Sequence, residues 1–244
     1  MAALPFVRDL LGWNGAVPNI ADKSSVTSRA IAAGILDALG VTQRVTHAGQ
    51  TAGKDLEEAV YAYLLSALPP RLNGRPIVVS RKTVISDFVQ YEHLATLKRL
   101  IDADTTATLR ASIGTDYQIR PDVTVGLSDP ATGIAPFLHA AVPCKWTLRS
   151  DRAQNVRHEA VILIRHRRGR LPHIAPVTAE PMPTRLASLA RGTAEVDALY
   201  HVALDELSAA VRASGNIEQL SVLEELVGHH RLRDLSEIVT TLTL

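Results

Sequence analysis

The stretch that decides the fold runs from Tyr117 to Glu159 and reads YQIRPDVTVGLSDPATGIAPFLHAAVPCKWTLRSDRAQNVRHE. Over Tyr117 to Leu127, Ile119, Val123, Val125 and Leu127 follow the two-residue period of a strand, and that strand carries Asp122. Ser128-Asp129-Pro130 marks a turn. Phe137 to Trp146 is a second strand ending at Lys145, so the two form a hairpin. Side chains alternate between the faces of a strand, which lets Asp122 and Lys145 point to one side. A helix then runs from near Ser150 to about His166, closed by Gly169 and Pro172.

Working outward, Ser24 to Leu39 reads as a helix with Ser24 or Ser25 as its N-cap and Gly40 as its stop. Asp55 to Leu68 is another, with Leu56, Ala59, Val60, Tyr63, Leu64 and Ala67 at helical spacing and Pro69-Pro70 beyond it. Pro76 to Val79 and His173 to Thr178 read as strands, and Tyr91 to Ile101 as a helix. Ala179 to Arg185 is a Pro-rich loop, followed by helices over Ala194 to Ala213 and Asn216 to Val227. The mixture predicts an α/β fold with a central mixed β-sheet flanked by helices. One domain over 1–244 is expected, its core over about 45–210 and its C-terminal helices over 194–244. Leu199, Val202, Leu220, Leu223 and Leu226 on those helices read as core, with oligomerisation as the alternative.

The 244 residues are 46% hydrophobic, enough for a substantial core, and no apolar run is long enough for a transmembrane helix. The N-terminus lacks the basic region of a secretory signal, and cytoplasm is the default location. Cys144 is the one cysteine, which excludes an internal disulfide and argues against a cysteine zinc site. No Gly-Lys-Ser/Thr motif suggests a nucleotide cofactor. Net charge is +1, yet eight Lys/Arg lie between Lys145 and Arg170, opposed by Asp151 and Glu159. Such a segment is either an electrostatic footprint for phosphates or a solvated helix face.

Asp122, Lys145 and Glu159 stand in the order needed to hydrolyse a phosphodiester, where carboxylates hold a divalent metal and a cation sits by the attacked phosphate. Pro143 occupies the place two residues before the lysine where a second acid commonly stands, so Glu159 is the nearest replacement. Glu57 on the early helix is a further candidate, and the Cys144 carbonyl is a plausible additional ligand for hard Mg²⁺.

With Arg149-Ser150-Asp151-Arg152 between Lys145 and Glu159, these residues resemble the CCGG-reading branch of type II restriction endonucleases, within the PD-(D/E)XK nuclease superfamily. The resemblance implies that Asp122, Lys145 and Glu159 form the catalytic core with Glu57, that the Cys144 carbonyl contacts Mg²⁺, and that Arg149 to Arg152 read the CCGG core. The chemistry agrees, since an arginine fork matches guanine and an aspartate accepts from cytosine. The chain most resembles the tetrameric members that read GCCGGC. That implies outer-pair contacts from Arg185, within Glu180-Pro181-Met182-Pro183-Thr184-Arg185, and from Asp22 and Gln50. It further implies duplex DNA as partner, a homodimer pairing into a homotetramer, and cleavage after the first G to leave 5′-CCGG overhangs and 5′-phosphates. The alternative is a sequence-specific DNA-binding regulator that does not cut.

Overall fold

The computed structural model describes all residues except 1, 2, 46–48, 73, 129, 130, 132 and 244, and for Gly49 and Gln50 the backbone alone. The N-terminal half holds α1 (Pro5–Leu10), β1 (Trp13–Asn14), β2 (Val17–Pro18), α2 (Val26–Leu39), α3 (Gly49–Ala67), β3 (Ile77–Arg81), α4 (Glu92–Ala103) and α5 (Thr108–Ile113). Then follow β4 (Val123–Leu127), β5 (Phe137–Val142), β6 (Cys144–Lys145), α6 (Ser150–His166), β7 (His173–Ile174), β8 (Val177–Thr178) and α7 (Pro183–Ala190). The chain closes with β9 (Leu199–His201), α8 (Leu204–Ala213), α9 (Ile217–Gly228), β10 (Leu232–Asp234) and α10 (Ile238–Thr241). Asp129 and Pro130 of the expected turn lie outside the described residues.

The expected hairpin is present: β4 pairs antiparallel with β5, Val123 facing Val142, and β3 adds antiparallel on the other side of β4. β7 then joins β5 in parallel, while β6, β8, β9 and β10 form a second, fully parallel set. The two sets share two runs of chain, because β5 passes into β6 through Pro143 and β7 into β8 through Pro176. Both halves of this pairing keep one register, so Pro143 faces Pro176. Proline has no N–H for a ladder, which is why each run breaks there. The Ala175 N–H still donates to the Ala141 carbonyl at 3.0 Å, and the Val177 N–H to that of Pro143 at 2.8 Å. The result is a mixed sheet with helices packed on it, as the pattern of elements predicts.

Helix limits follow local chemistry. The Ser25 side chain accepts the Ser28 N–H at the start of α2, and Gly40, at φ 67°, ends it in the left-handed conformation. α2 packs along α8, where Gly34 meets Ala210 so closely that a Cβ on Gly34 would lie 2.8 Å from the Ala210 Cβ. α9 starts from Asn216, whose side chain accepts the Gln219 N–H.

Three expectations change. Asp122 stands one residue ahead of β4 rather than on it, because Pro121 cannot donate to a ladder and pairing with β3 begins at Val123. Ala194 to Ala213 is not one helix. Ala194 has φ 69°, which interrupts a right-handed helix, and the buried run around Leu199 becomes β9 before α8 begins. The supposed loop up to Arg185 gives way at Pro183 to α7, since proline suits the first turn of a helix. Leu199, Val202, Leu223 and Leu226 are buried in the core, with Leu220 packed against it.

Candidate active site

The end of the hairpin brings the first two candidates into contact. β4 has already stopped when its neighbour reaches Cys144, so the Cys144 N–H finds no strand partner there and donates to Asp122 Oδ2 at 2.7 Å. Lys145 Nζ donates to the same oxygen at 2.8 Å. Burial pulls the Lys145 ammonium toward neutrality, but the charge and hydrogen bond of Asp122, helped by Glu159, outweigh it and raise its pKa. Glu159, half-buried on α6, is pushed up by burial and by Asp122, against the pull of Lys145. Asp122, Lys145 and Glu159 therefore lie within one electrostatic field, two carboxyl groups around one ammonium.

Glu57 reaches the same neighbourhood from α3, which packs on β6. Its carboxylate and that of Asp122 both act on the buried Cys144 thiol, whose pKa is pushed up chiefly by desolvation. Glu57 is buried and already engaged: Arg81 on β3 donates from Nε to Glu57 at 2.8 Å, while another nitrogen of its guanidinium pairs with Glu58. No local pattern links Arg81 to Glu57, and no motif in the chain singles it out. Among the described residues, no three His, Cys, Asp or Glu side chains converge closely enough to cage a metal by themselves.

The arginine segment begins at this same edge. Arg149 is the N-cap of α6, and Arg149, Ser150 and Asp151 are exposed. Arg152 is half-buried and lies back on Thr147, with Nη1 at 3.0 Å from the hydroxyl and 3.3 Å from the carbonyl. Beside them opens a cleft of about 510 Å³, lined by Asp22, Ser24, Leu148, Arg149, Ser150, Thr184, Arg185 and Ser188. Four expected reading residues from three distant parts of the chain thus meet on one cavity.

Within it, Arg185 Nη2 lies 2.5 Å from Asp22 Oδ2. Asp22 Oδ1 accepts both the N–H and the hydroxyl of Ser24, and Arg185 with Ser24 holds the Asp22 carboxyl well below the usual range. Behind Arg185 lies Glu180, wholly buried, an acid whose role the sequence did not suggest although two prolines and an apolar run flank it. Gln50 is placed near the start of α3, and its side chain lies outside the described residues.

The family model described as NgoMIV restriction enzyme matches residues 10–133 and 128–244. The chain is 36% identical over 259 residues to the type II restriction enzyme NgoMIV of Neisseria gonorrhoeae, across 92% of this chain and 89% of that protein.

Proposed function

The chain belongs to the NgoMIV restriction enzyme family, and from that premise we propose that it cuts duplex DNA at a palindrome with a CCGG core, GCCGGC, after the first G. The products are 5′-CCGG overhangs with 5′-phosphates. The observation that carries the proposal is the Lys145–Asp122 pair at 2.8 Å, directly beside the exposed start of α6 that carries Arg149 to Arg152. One short stretch then serves both chemistry and base reading.

Lys145 sets a full positive charge beside the scissile phosphate and stabilises charge that develops on its oxygens. Asp122 fixes that ammonium through Oδ2 and leaves Oδ1 for a cation. Asp122, Glu159 and the Cys144 carbonyl are hard oxygen donors, the set that suits Mg²⁺. Because no three side chains form a cage among the described residues, water would complete the shell, as is usual for this ion. Glu57, held by Arg81 in this structure, would add a further carboxylate if freed from that pair. Bound there, Mg²⁺ supplies charge neutralisation and lowers the pKa of the attacking water.

Arg149 and Arg152 read the two guanines, Asp151 accepts from cytosine, Ser150 supports the segment, and Arg185, Asp22 and Gln50 address the outer pair. A homodimer matches the two-fold symmetry of the site, and two dimers pair into a homotetramer. The cytoplasm of a prokaryotic cell is where it meets DNA. Among the described residues, no helix is long and apolar enough to cross a membrane.

The test is digestion of a plasmid with one GCCGGC, with and without Mg²⁺, followed by sequencing of the ends. Linear product with 5′-CCGG ends, formed with Mg²⁺ alone, is expected. Specific binding without cutting under any divalent metal would favour the non-cleaving regulator, a reading to which the Arg81–Glu57 pair lends some support.

A further inference from the structure

We propose that Glu180 is a positioning residue that holds the two base-reading segments, the one starting at Arg149 and the one bearing Arg185, at the mutual spacing the DNA site requires. The inference rests on the reading of those segments given above.

Glu180 lies between β8 and α7 and is 0% exposed, so it touches no DNA itself. Its carboxylate bridges two helix starts. Oε2 accepts the N–H of Leu148 at 2.8 Å, and Leu148 immediately precedes Arg149, the N-cap of α6. Oε1 accepts the N–H of Met182 at 3.1 Å, and Met182 is the N-cap of α7. Oε1 also faces Arg185 Nη1 at 3.8 Å, behind the Asp22 contact on the same guanidinium. One planar group thus ties the root of each recognition element.

The backbone of Glu180 is equally fixed. Its N–H donates to the Thr178 hydroxyl at 3.2 Å. Its carbonyl faces His201 Nε2 at 3.2 Å, while His201 Nδ1 accepts the Ala203 N–H at 3.1 Å. With Nδ1 an acceptor, Nε2 carries the proton and donates to Glu180. Nothing in this arrangement lets the carboxylate swing.

A glutamate here is a costly choice for packing alone. Burial pushes its carboxyl up to about 7 despite the two amide donors and Arg185. A carboxylate is nevertheless what the geometry asks for, because both oxygens must accept. Glutamine would present an NH₂ to one of the two amides and leave that helix start untied.

The test is Glu180→Gln, measured by competition binding without metal. The probes are a GCCGGC duplex and duplexes changed at one inner or one outer base pair. Wild type is expected to discriminate against both. E180Q should lose about tenfold of discrimination at inner and outer pairs alike, the size of one weakened base contact. Non-specific affinity and its salt dependence should be unchanged, and the variant should still unfold in one cooperative transition above the assay temperature, which a general loss of structure would not allow. Undiminished discrimination, or loss at the outer pair alone, overturns the proposal. Wild type that fails to discriminate overturns the underlying reading, and this inference with it.

If E180Q does not fold, wild type carries the test between pH 8 and pH 6. The charged groups facing Glu180 are Arg185 of α7, Asp22 ahead of α2 and His201 of β9. Asp22 is held ionised, and His201, driven down to about 4 by burial, stays neutral. Discrimination that falls at both pairs as the pH drops supports the proposal, and discrimination that stays flat overturns it.

Discussion

Lys145 Nζ and Asp122 Oδ2 lie 2.8 Å apart in a recess where neither side chain is more than about a quarter exposed. The ammonium is therefore kept protonated although burial opposes it, because the carboxylate prevails. Replacing Lys145 by Ala should reduce cleavage at least about 10²–10³-fold, the effect of deleting one preorganised stabilising donor. Specific binding without metal should remain. Single-turnover cleavage and gel-shift titration on one duplex check both halves, and joint loss of binding and cutting would show that the lysine serves more than chemistry.

Arg152 rests on Thr147 through one guanidinium nitrogen, and its remaining donors are available as a fork. Arg152→Lys keeps the charge and loses the fork. It should therefore keep the salt dependence of DNA binding and lose roughly 1–3 kcal/mol of discrimination at one guanine. Competition binding at several salt concentrations measures both quantities, and intact discrimination would remove Arg152 from the reading set.

Gly34 has no room for a side chain against Ala210. Gly34→Ala should force α2 and α8 apart and destabilise the fold by roughly 1–3 kcal/mol despite its better helix propensity. Adding Ala210→Gly should recover most of the loss. Urea midpoints of the two single variants and the double variant reveal the coupling. Strict additivity would mean that the contact is not limiting.

Glu180 also predicts a slope of stability with pH. Its carboxyl rises from 4.5 to about 7 on folding, so between those values the folded state holds a proton that the unfolded state has released. Stability conferred on the protonated form is full below pH 4.5 and declines as the pH climbs through 7. Urea unfolding of wild type and E180Q across pH 4.5–8 should show the wild-type advantage shrinking over that window. The opposite trend of buried His201 is common to both proteins and cancels in the difference. A constant difference would contradict the assignment.

Elements with local punctuation were legible in the sequence. Ser25 and Gly40 bound α2, Gly169 follows α6 and Asn216 opens α9, because caps and stops act within a few residues. β9 was not legible, since a buried parallel strand and a buried helix segment both read as an apolar run. Lys145 and Asp122 were visible as a pair because a hairpin joins them. By contrast, the Asp22–Arg185 bond spans 163 residues, and Asp22 entered through family resemblance alone. Arg81 carries no sequence motif, Glu180 entered only as part of the segment bearing Arg185, and the partners of both come largely from other elements of the tertiary fold.

β4 falls one residue short of Asp122, and that truncation leaves an amide over for the acid. Asp122 is consequently aimed by the sheet itself before any ion or substrate arrives. If Asp122 holds a cation as proposed, that ion would not need to arrest a freely rotating carboxylate, because the rotamer entropy has already been lost during folding.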